Sequence, residues 1–479
     1  MADFKLVIDE LWGAFEEFGI EDGYDIVGQA TLLLALRRLD IIQTAAEGKS
    51  LITGQAPETS VFGSDNDAIR WSRLKNSEPA GMFALFESKV IHFVRGLGGA
   101  FADAVFMIPS PSALHRLVDL VDKIPYAEPA LNGAVYEYLV SKITTKNSSG
   151  GFPTPRHLID LMVEITDPQP SDVVADPAVG SGGFLVRAAQ FLRERYPDLL
   201  LGDAARHHFH RGMFHGVDSD PAFARMATTN LMLHGVEAAD IQRRDSLAPW
   251  SDGIGGHSLV LTNPPFSGSI EKSALDKDLH RGVKSTTKAP LFVGRVLSLL
   301  ELGGRAAVIV PEGVLFGSAK GQVALRKSLV EDHKLDAVIK VPPTAYQPFS
   351  MTQTSILVFT KTGVGGTKQV WFYDIRADGR SLDKKRTPGA ENDLPDVVRR
   401  WKTLADPASP ERIRARTEQS FLVPHAEIVA HNYELTLNRY QQVAQADAQT
   451  RAPAEIIVDI DALNEAILVA TAELKELLG

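Results

Sequence analysis

Asp172-Val173-Val174-Ala175-Asp176-Pro177-Ala178-Val179-Gly180-Ser181-Gly182-Gly183-Phe184-Leu185 is the stretch that decides the fold. Its first four residues read as a short buried strand, and the residues from Gly183 open a helix. Between them lies a glycine turn, where backbone can approach a ligand closely and the first helical N–H groups are free to bind it. Leu185 stands where a GxGxxG dinucleotide pattern has its last glycine, and an acid closes the strand. Asp176 is therefore suited to a positively charged ligand group, with Gly180 and Gly182 lining the turn, and an amino-acid moiety fits better than a pyrophosphate.

Outward from this turn, β-branched runs at Met213–Val217, Ser258–Thr262, Arg305–Val310 and Leu335–Val341 alternate with helical stretches, the pattern of a parallel α/β sheet. Thr354–Thr360 and Gln369–Tyr373 follow without room for crossover helices, so the sheet is expected to end in antiparallel strands. Gly379 to about Ser409, charged and punctuated by Pro and Gly, reads as a surface excursion. Residues 1–145 are instead helical, with Leu11, Trp12, Phe15 and Phe18, then Phe83, Phe86, Val90, Phe93 and Leu97, at helical spacing. The expected organisation is a helical N-terminal domain (1–145), a catalytic α/β domain (146–442), and a linker with a C-terminal helix (443–479).

At 479 residues, about three domains are expected, and 44% hydrophobic with 23% charged residues is a globular rather than a disordered balance. No run of about 18 uncharged apolar residues occurs, and the chain opens with acids rather than bases, so neither a membrane span nor a secretory signal is expected. The absence of Cys excludes disulfides and thiolate chemistry and fits a reducing, cytoplasmic setting. Thirteen histidines show no metal-ligand spacing; His207, His208 and His210 read as surface residues, and no metal is expected. The net charge of -10 is concentrated at the ends: residues 1–40 hold nine acids against three bases, and residues 443–479 seven against two. The 402 residues between carry about +1, so a polyanionic substrate is not excluded.

Two further elements carry chemistry. The second strand ends in Val217-Asp218, where an acid commonly accepts ribose hydroxyls, though Asp218 or Asp220 can equally cap the following helix; Asp245, after a short run at Ile241, can reach an adenine amino group but on its own reads as a turn residue. After the strand ending at Thr262 comes Asn263-Pro264-Pro265-Phe266. Consecutive prolines fix the backbone and remove two donors, leaving an acceptor site. The Asn263 side-chain oxygen and the Pro264 carbonyl can take both hydrogens of an exocyclic amine while Phe266 stacks on its base. The nitrogen lone pair is thereby turned toward an electrophile with no general base of shifted pKa. Residues 267–290, with Lys272, Lys277, Arg281, Lys284 and Lys288 against Glu271, Asp276 and Asp278, read as a basic flexible loop that can meet phosphates.

DPAVGSGGFL followed at a distance by TNPPF resembles the S-adenosylmethionine-dependent DNA adenine-N6 methyltransferases, specifically the modification subunits of type I restriction–modification systems. Gly151-Phe152-Pro153-Thr154-Pro155-Arg156 resembles that family's upstream cofactor motif, with Pro153 where an aromatic or hydroxyl residue is usual; Val179 replaces a common Cys. Leu131–Leu139, Phe421–Pro424 and Leu437–Tyr440 extend the likeness over nearly the whole chain. The resemblance implies a Rossmann-like sheet that binds S-adenosylmethionine. Thr154, Pro155, Asp176, Gly180 and Gly182 would lie around its methionine part, Asp218 on the ribose and Asp245 on the adenine. Asn263, Pro264, Pro265 and Phe266 would hold an adenine flipped from duplex DNA. The partners it implies are a specificity subunit, a restriction subunit where the system has one, and a hetero-oligomer with two modification subunits. The seam Ile460, Leu463, Ile467, Ala470, Leu474 and Leu477 is the expected docking helix. No Walker A pattern or nuclease triad is found, so cleavage and translocation would belong to another chain. The alternatives are N-methylation of a protein glutamine or an RNA base, and a cofactor-binding module without transfer.

Overall fold

The computed structural model describes residues 3–54, 60–124, 129–143, 154–250, 255–347, 350–383, 386–442 and 453–478. Gly151–Pro153 of the upstream motif and residues 443–452 of the expected linker lie outside them.

The N-terminal region is helical. Helix α1 (Asp3–Glu17) buries Leu11, Trp12 and Phe15, and α2 (Gly23–Thr53) is capped by Asp22, whose carboxylate accepts from the amides of Tyr24 and Asp25. Helices α3 (Pro111–Lys123) and α4 (Pro129–Ser141) close the same core.

From α5 (Arg156–Thr166) onward the chain builds a nine-stranded sheet in the order β11-β8-β6-β7-β5-β4-β1-β2-β3. Its strands are β1 (Val174–Asp176), β2 (Phe214–Asp218), β3 (Asp240–Arg243), β4 (His257–Thr262), β5 (Leu300–Pro311), β6 (Lys334–Val341), β7 (Thr354–Thr360), β8 (Gln369–Asp374) and β11 (Ser420–Pro424); β9 (Asp378–Arg380) and β10 (Pro388–Asn392) form a separate ribbon. Alternate residues supply two cores. Leu259 and Leu261 of β4 point into one and Val260 into the other, and β5, β6 and β7 repeat the alternation, so the sheet is covered on both faces.

The antiparallel strands are not simply terminal. β7 inserts antiparallel between β5 and β6, β8 runs parallel to β6, and only β11 is an antiparallel edge. The charged stretch after Gly379 is also more than an excursion. Its helix Leu394–Thr403 buries Leu394 and Val397, and the Trp401 indole donates to the Ile165 carbonyl at 2.7 Å.

Strand order reverses at β1, whose neighbours are β2 on one side and β4 on the other. At such a switch point the carboxyl ends of the strands splay and leave a crevice. α6 (Gly183–Arg195) follows β1 on one face and α7 (Pro221–Leu233) follows β2. α7 serves two cores at once: Ala224, Ala227 and Leu231 pack with the sheet, Met226, Met232 and Leu233 with the N-terminal helices.

Candidate active site

The crevice holds a cavity of about 370 Å³, within the size range of small-molecule sites. Asp176, Gly180, Asp218, Thr154 and the whole Asn263–Phe266 turn line it together.

The glycine turn is held from two sides. Asp218 accepts from the Gly180 amide at 3.1 Å and from the Asp220 amide at 2.9 Å, and the Asn230 side chain on α7 donates to the Ser181 carbonyl at 2.8 Å. Gly180 and Gly182 both have positive φ, at 51° and 83°, which a side chain would strain. A Cβ on Gly182 would also lie 3.1 Å from the Ala227 Cα, whereas one on Gly180 would meet nothing. Gly182 is thus fixed by packing against α7, and Gly180 by the open space it leaves in the cavity.

Burial pushes the Asp176 carboxyl up to about 7, opposed in part by the Ala178 amide and reinforced by the Asp218 carboxylate. Asp218 is likewise raised, chiefly by burial. Two carboxyl groups sharing a half-closed cavity make it a site for a cationic or hydroxyl-bearing ligand.

At the end of β4, the Asn263 side-chain amide donates to the Thr154 hydroxyl at 2.9 Å. Its oxygen is buried and has no partner. A buried acceptor without a donor costs about 1–3 kcal/mol, and the residue that carries it lines the cavity. The Phe266 ring, also on the cavity wall, meets the Tyr346 ring edge-on, with centroids 5.8 Å apart. Tyr346 closes the short helix after β6 and its phenol is buried and pushed up by that burial.

Pro155 caps α5 beside Thr154 and does not itself line the cavity. Asp245 does not line it either: it is exposed and its carboxylate closes a turn by accepting from the Leu247 amide at 2.8 Å. The expected basic loop proves to be folded rather than flexible. Ile270 donates to the Thr286 carbonyl and Lys288 to that of Gly268, Leu275, Leu279 and Val283 are buried, and Asp276 pairs with the buried Arg295 at 3.1 Å. Lys272, Lys277 and Lys284 remain exposed on it. Of the three surface histidines expected, only His207 is exposed; the His208 ring bonds the Asp172 carbonyl at 2.9 Å.

Tyr346 and Asn230 escape a sequence reading. The Val341-Pro342-Pro343 turn after β6 could have drawn attention to Tyr346, and a polar amide among the apolar residues of α7 to Asn230.

The model of the N-6 DNA methylase family matches residues 128–449, about two thirds of the chain and all of the site just described. The chain belongs to that family. Its enzymes methylate adenine in DNA at N6, and this chain is an adenine-specific DNA methyltransferase. The methylase subunit of type I restriction enzyme EcoEI from Escherichia coli is 27% identical over 390 residues, covering 79% of this chain and 76% of its own. The EcoKI methylase subunit of Escherichia coli strain K12 is 28% identical over 388 residues, covering 76% and 72%. Among solved structures, a chain of a type I R-M system, solved for its complex assembly and conformational transition, superposes with a TM-score of 0.72 at 25% identity over 98% of this chain and 97% of that one. The methyltransferase subunit of a type I restriction-modification system from Streptococcus thermophilus shares the fold, with a TM-score of 0.67 at 18% identity over 92% of this chain and 99% of that one. No described helix of this methylase is long and apolar enough to cross a membrane.

Proposed function

We propose that this methylase transfers a methyl group from S-adenosylmethionine to N6 of an adenine extruded from duplex DNA, as the modification subunit of a type I complex. The observation that carries the reading is the buried, unpartnered Asn263 oxygen in the same cavity as the glycine turn and Asp218.

The residues present fit the cofactor. Asp176 offers a buried carboxyl to an ammonium group, Gly180 leaves room for close approach, and Asp218 keeps lone pairs for ribose hydroxyls beyond the two amides it already accepts. When bound, S-adenosylmethionine supplies an electrophilic methyl group. The chain's own residues orient the nucleophile. Asn263 Oδ1 and the Pro264 carbonyl accept the two N6 hydrogens, which takes the nitrogen lone pair out of conjugation. Thr154 holds the Asn263 amide so that its oxygen faces inward. Phe266, backed by Tyr346, stacks on the base and offsets part of the few kcal/mol that extrusion costs. The exposed Lys272, Lys277 and Lys284 are placed to meet backbone phosphates.

Assembly with a specificity subunit is supported by α8 (Pro453–Leu478), whose apolar seam faces solvent: Ile460, Leu463, Ile467 and Leu474 are 51–64% exposed. A long apolar stripe with none of the described residues against it favours a facing helix from a partner. A restriction subunit and a second modification subunit are partners that the family resemblance adds.

The test is tritiated methyl incorporation into DNA by the complex, followed by digestion to nucleosides. Label should appear on N6-methyl-2′-deoxyadenosine, and Asn263→Ala should lower the rate by about 10²–10³ with cofactor binding retained. Label on cytosine, or an undiminished rate in the mutant, rejects the proposal.

A further inference from the structure

We infer that Tyr24, from the helical domain, forms the nucleoside-side wall of the cofactor cavity and sets affinity for the methyl donor; this rests on the reading of the cavity as an S-adenosylmethionine site. Tyr24 lines the cavity although it lies 152 positions before Asp176 in the chain. Its position is fixed locally, because the Asp22 carboxylate accepts from the Tyr24 amide at 2.8 Å and locks the first turn of α2. Its ring meets Phe223 edge-on, with centroids 5.6 Å apart and planes at 83°.

Phe223 belongs to the first turn of α7, which Asp220 caps through the Ala222 amide at 2.7 Å, and the Asp220 amide in turn donates to Asp218. The aromatic pair is therefore one turn from the acid assigned to the ribose. Asp218, Ser219, Asp220 and Phe223 all line the cavity on this side, with Tyr24 completing it. Burial, together with the Asp220 and Asp22 carboxylates, pushes the Tyr24 phenol up, so at neutral pH it is an uncharged donor. Val140 and Ile143 add an apolar edge from the same helical region.

A ring that only joined two domains would affect folding and leave ligand affinity untouched; a ring that walls the cavity must affect affinity. Isothermal titration of the full-length chain with S-adenosylhomocysteine and with 5′-methylthioadenosine, which lacks the amino-acid part, separates the two. Tyr24→Ala should weaken both ligands roughly tenfold, and Tyr24→Phe should stay within about twofold of wild type. Where the Ala variant fails to fold, Tyr24→Leu fills the packing space beside Phe223 without the aromatic ring and carries the same expectation. Wild-type-like affinity in folded Tyr24→Ala or Tyr24→Leu overturns the inference while leaving the function intact. Weakening confined to S-adenosylhomocysteine overturns the nucleoside-side placement. Wild-type protein that binds neither ligand rejects the functional reading itself.

Discussion

The Thr154 hydroxyl accepts a 2.9 Å hydrogen bond from the side-chain amide of Asn263, 109 residues further along the chain. That bond fixes the Asn263 amide, whose oxygen is left without a partner, and points to Thr154 as a positioning residue for the acceptor. Thr154→Val keeps the shape and removes the partner, so kcat should fall roughly three- to tenfold with KM for S-adenosylmethionine little changed. Thr154→Ser should restore most of the rate. A change confined to KM would place Thr154 on the cofactor alone.

The two glycines of the turn should respond differently to alanine. Gly182→Ala meets the Ala227 backbone at positive φ and should cost about 1–3 kcal/mol of stability, read as a lower denaturation midpoint. Gly180→Ala has open space around its Cβ, so it should lose less stability and more cofactor affinity. Equal effects on both quantities would show that the turn acts only as a structural corner.

The Asp176 carboxyl, raised by burial from 3.8 to about 7, makes stability depend on pH. Between about 4 and 7 the unfolded chain has released this proton while the folded chain still holds it. This group's contribution therefore favours folding fully below about 4, declines as pH rises, and levels off above 7. At 1.36 kcal/mol per pKa unit the effect is at most about 4 kcal/mol. Without cofactor, Asp176→Asn should gain stability relative to wild type across this window, as followed by denaturant melts from pH 5 to 9. A difference that does not vary with pH would mean the carboxyl ionises normally.

Removing residues 454–479 takes away a helix whose described side chains, Ile457–Ala472 and Leu474, are all exposed. The truncated chain should fold and bind cofactor as before but no longer co-purify with a specificity subunit or methylate a specific site. Normal assembly of the truncated chain would refute the docking role of α8.

Asp176, Asp218 and Asn263 are legible in the sequence because each ends a β-branched run and is followed by residues that force a turn. The crevice then assembles them without further information. Tyr346, Asn230 and Tyr24 are not legible, because their roles arise from packing between segments far apart in the chain. The insertion of β7 is hidden for a related reason. Its alternation is the same whether it pairs at an edge or between β5 and β6, and only the completed sheet decides. Asp245 shows the converse, a residue in a suggestive position whose carboxylate is engaged by its own turn.

Because α7 gives one face to the helical core and another to the sheet, the border between the two regions of sequence is not a border in cooperativity. Separating the chain near residue 145 would strip Met226, Met232 and Leu233 of their surroundings and leave the helix carrying Asn230 half unsupported. The helical region then behaves as part of one folding unit with the sheet: its local melting would loosen the glycine turn through Asn230, and anything that steadies the turn would be felt as added protection in the N-terminal helices.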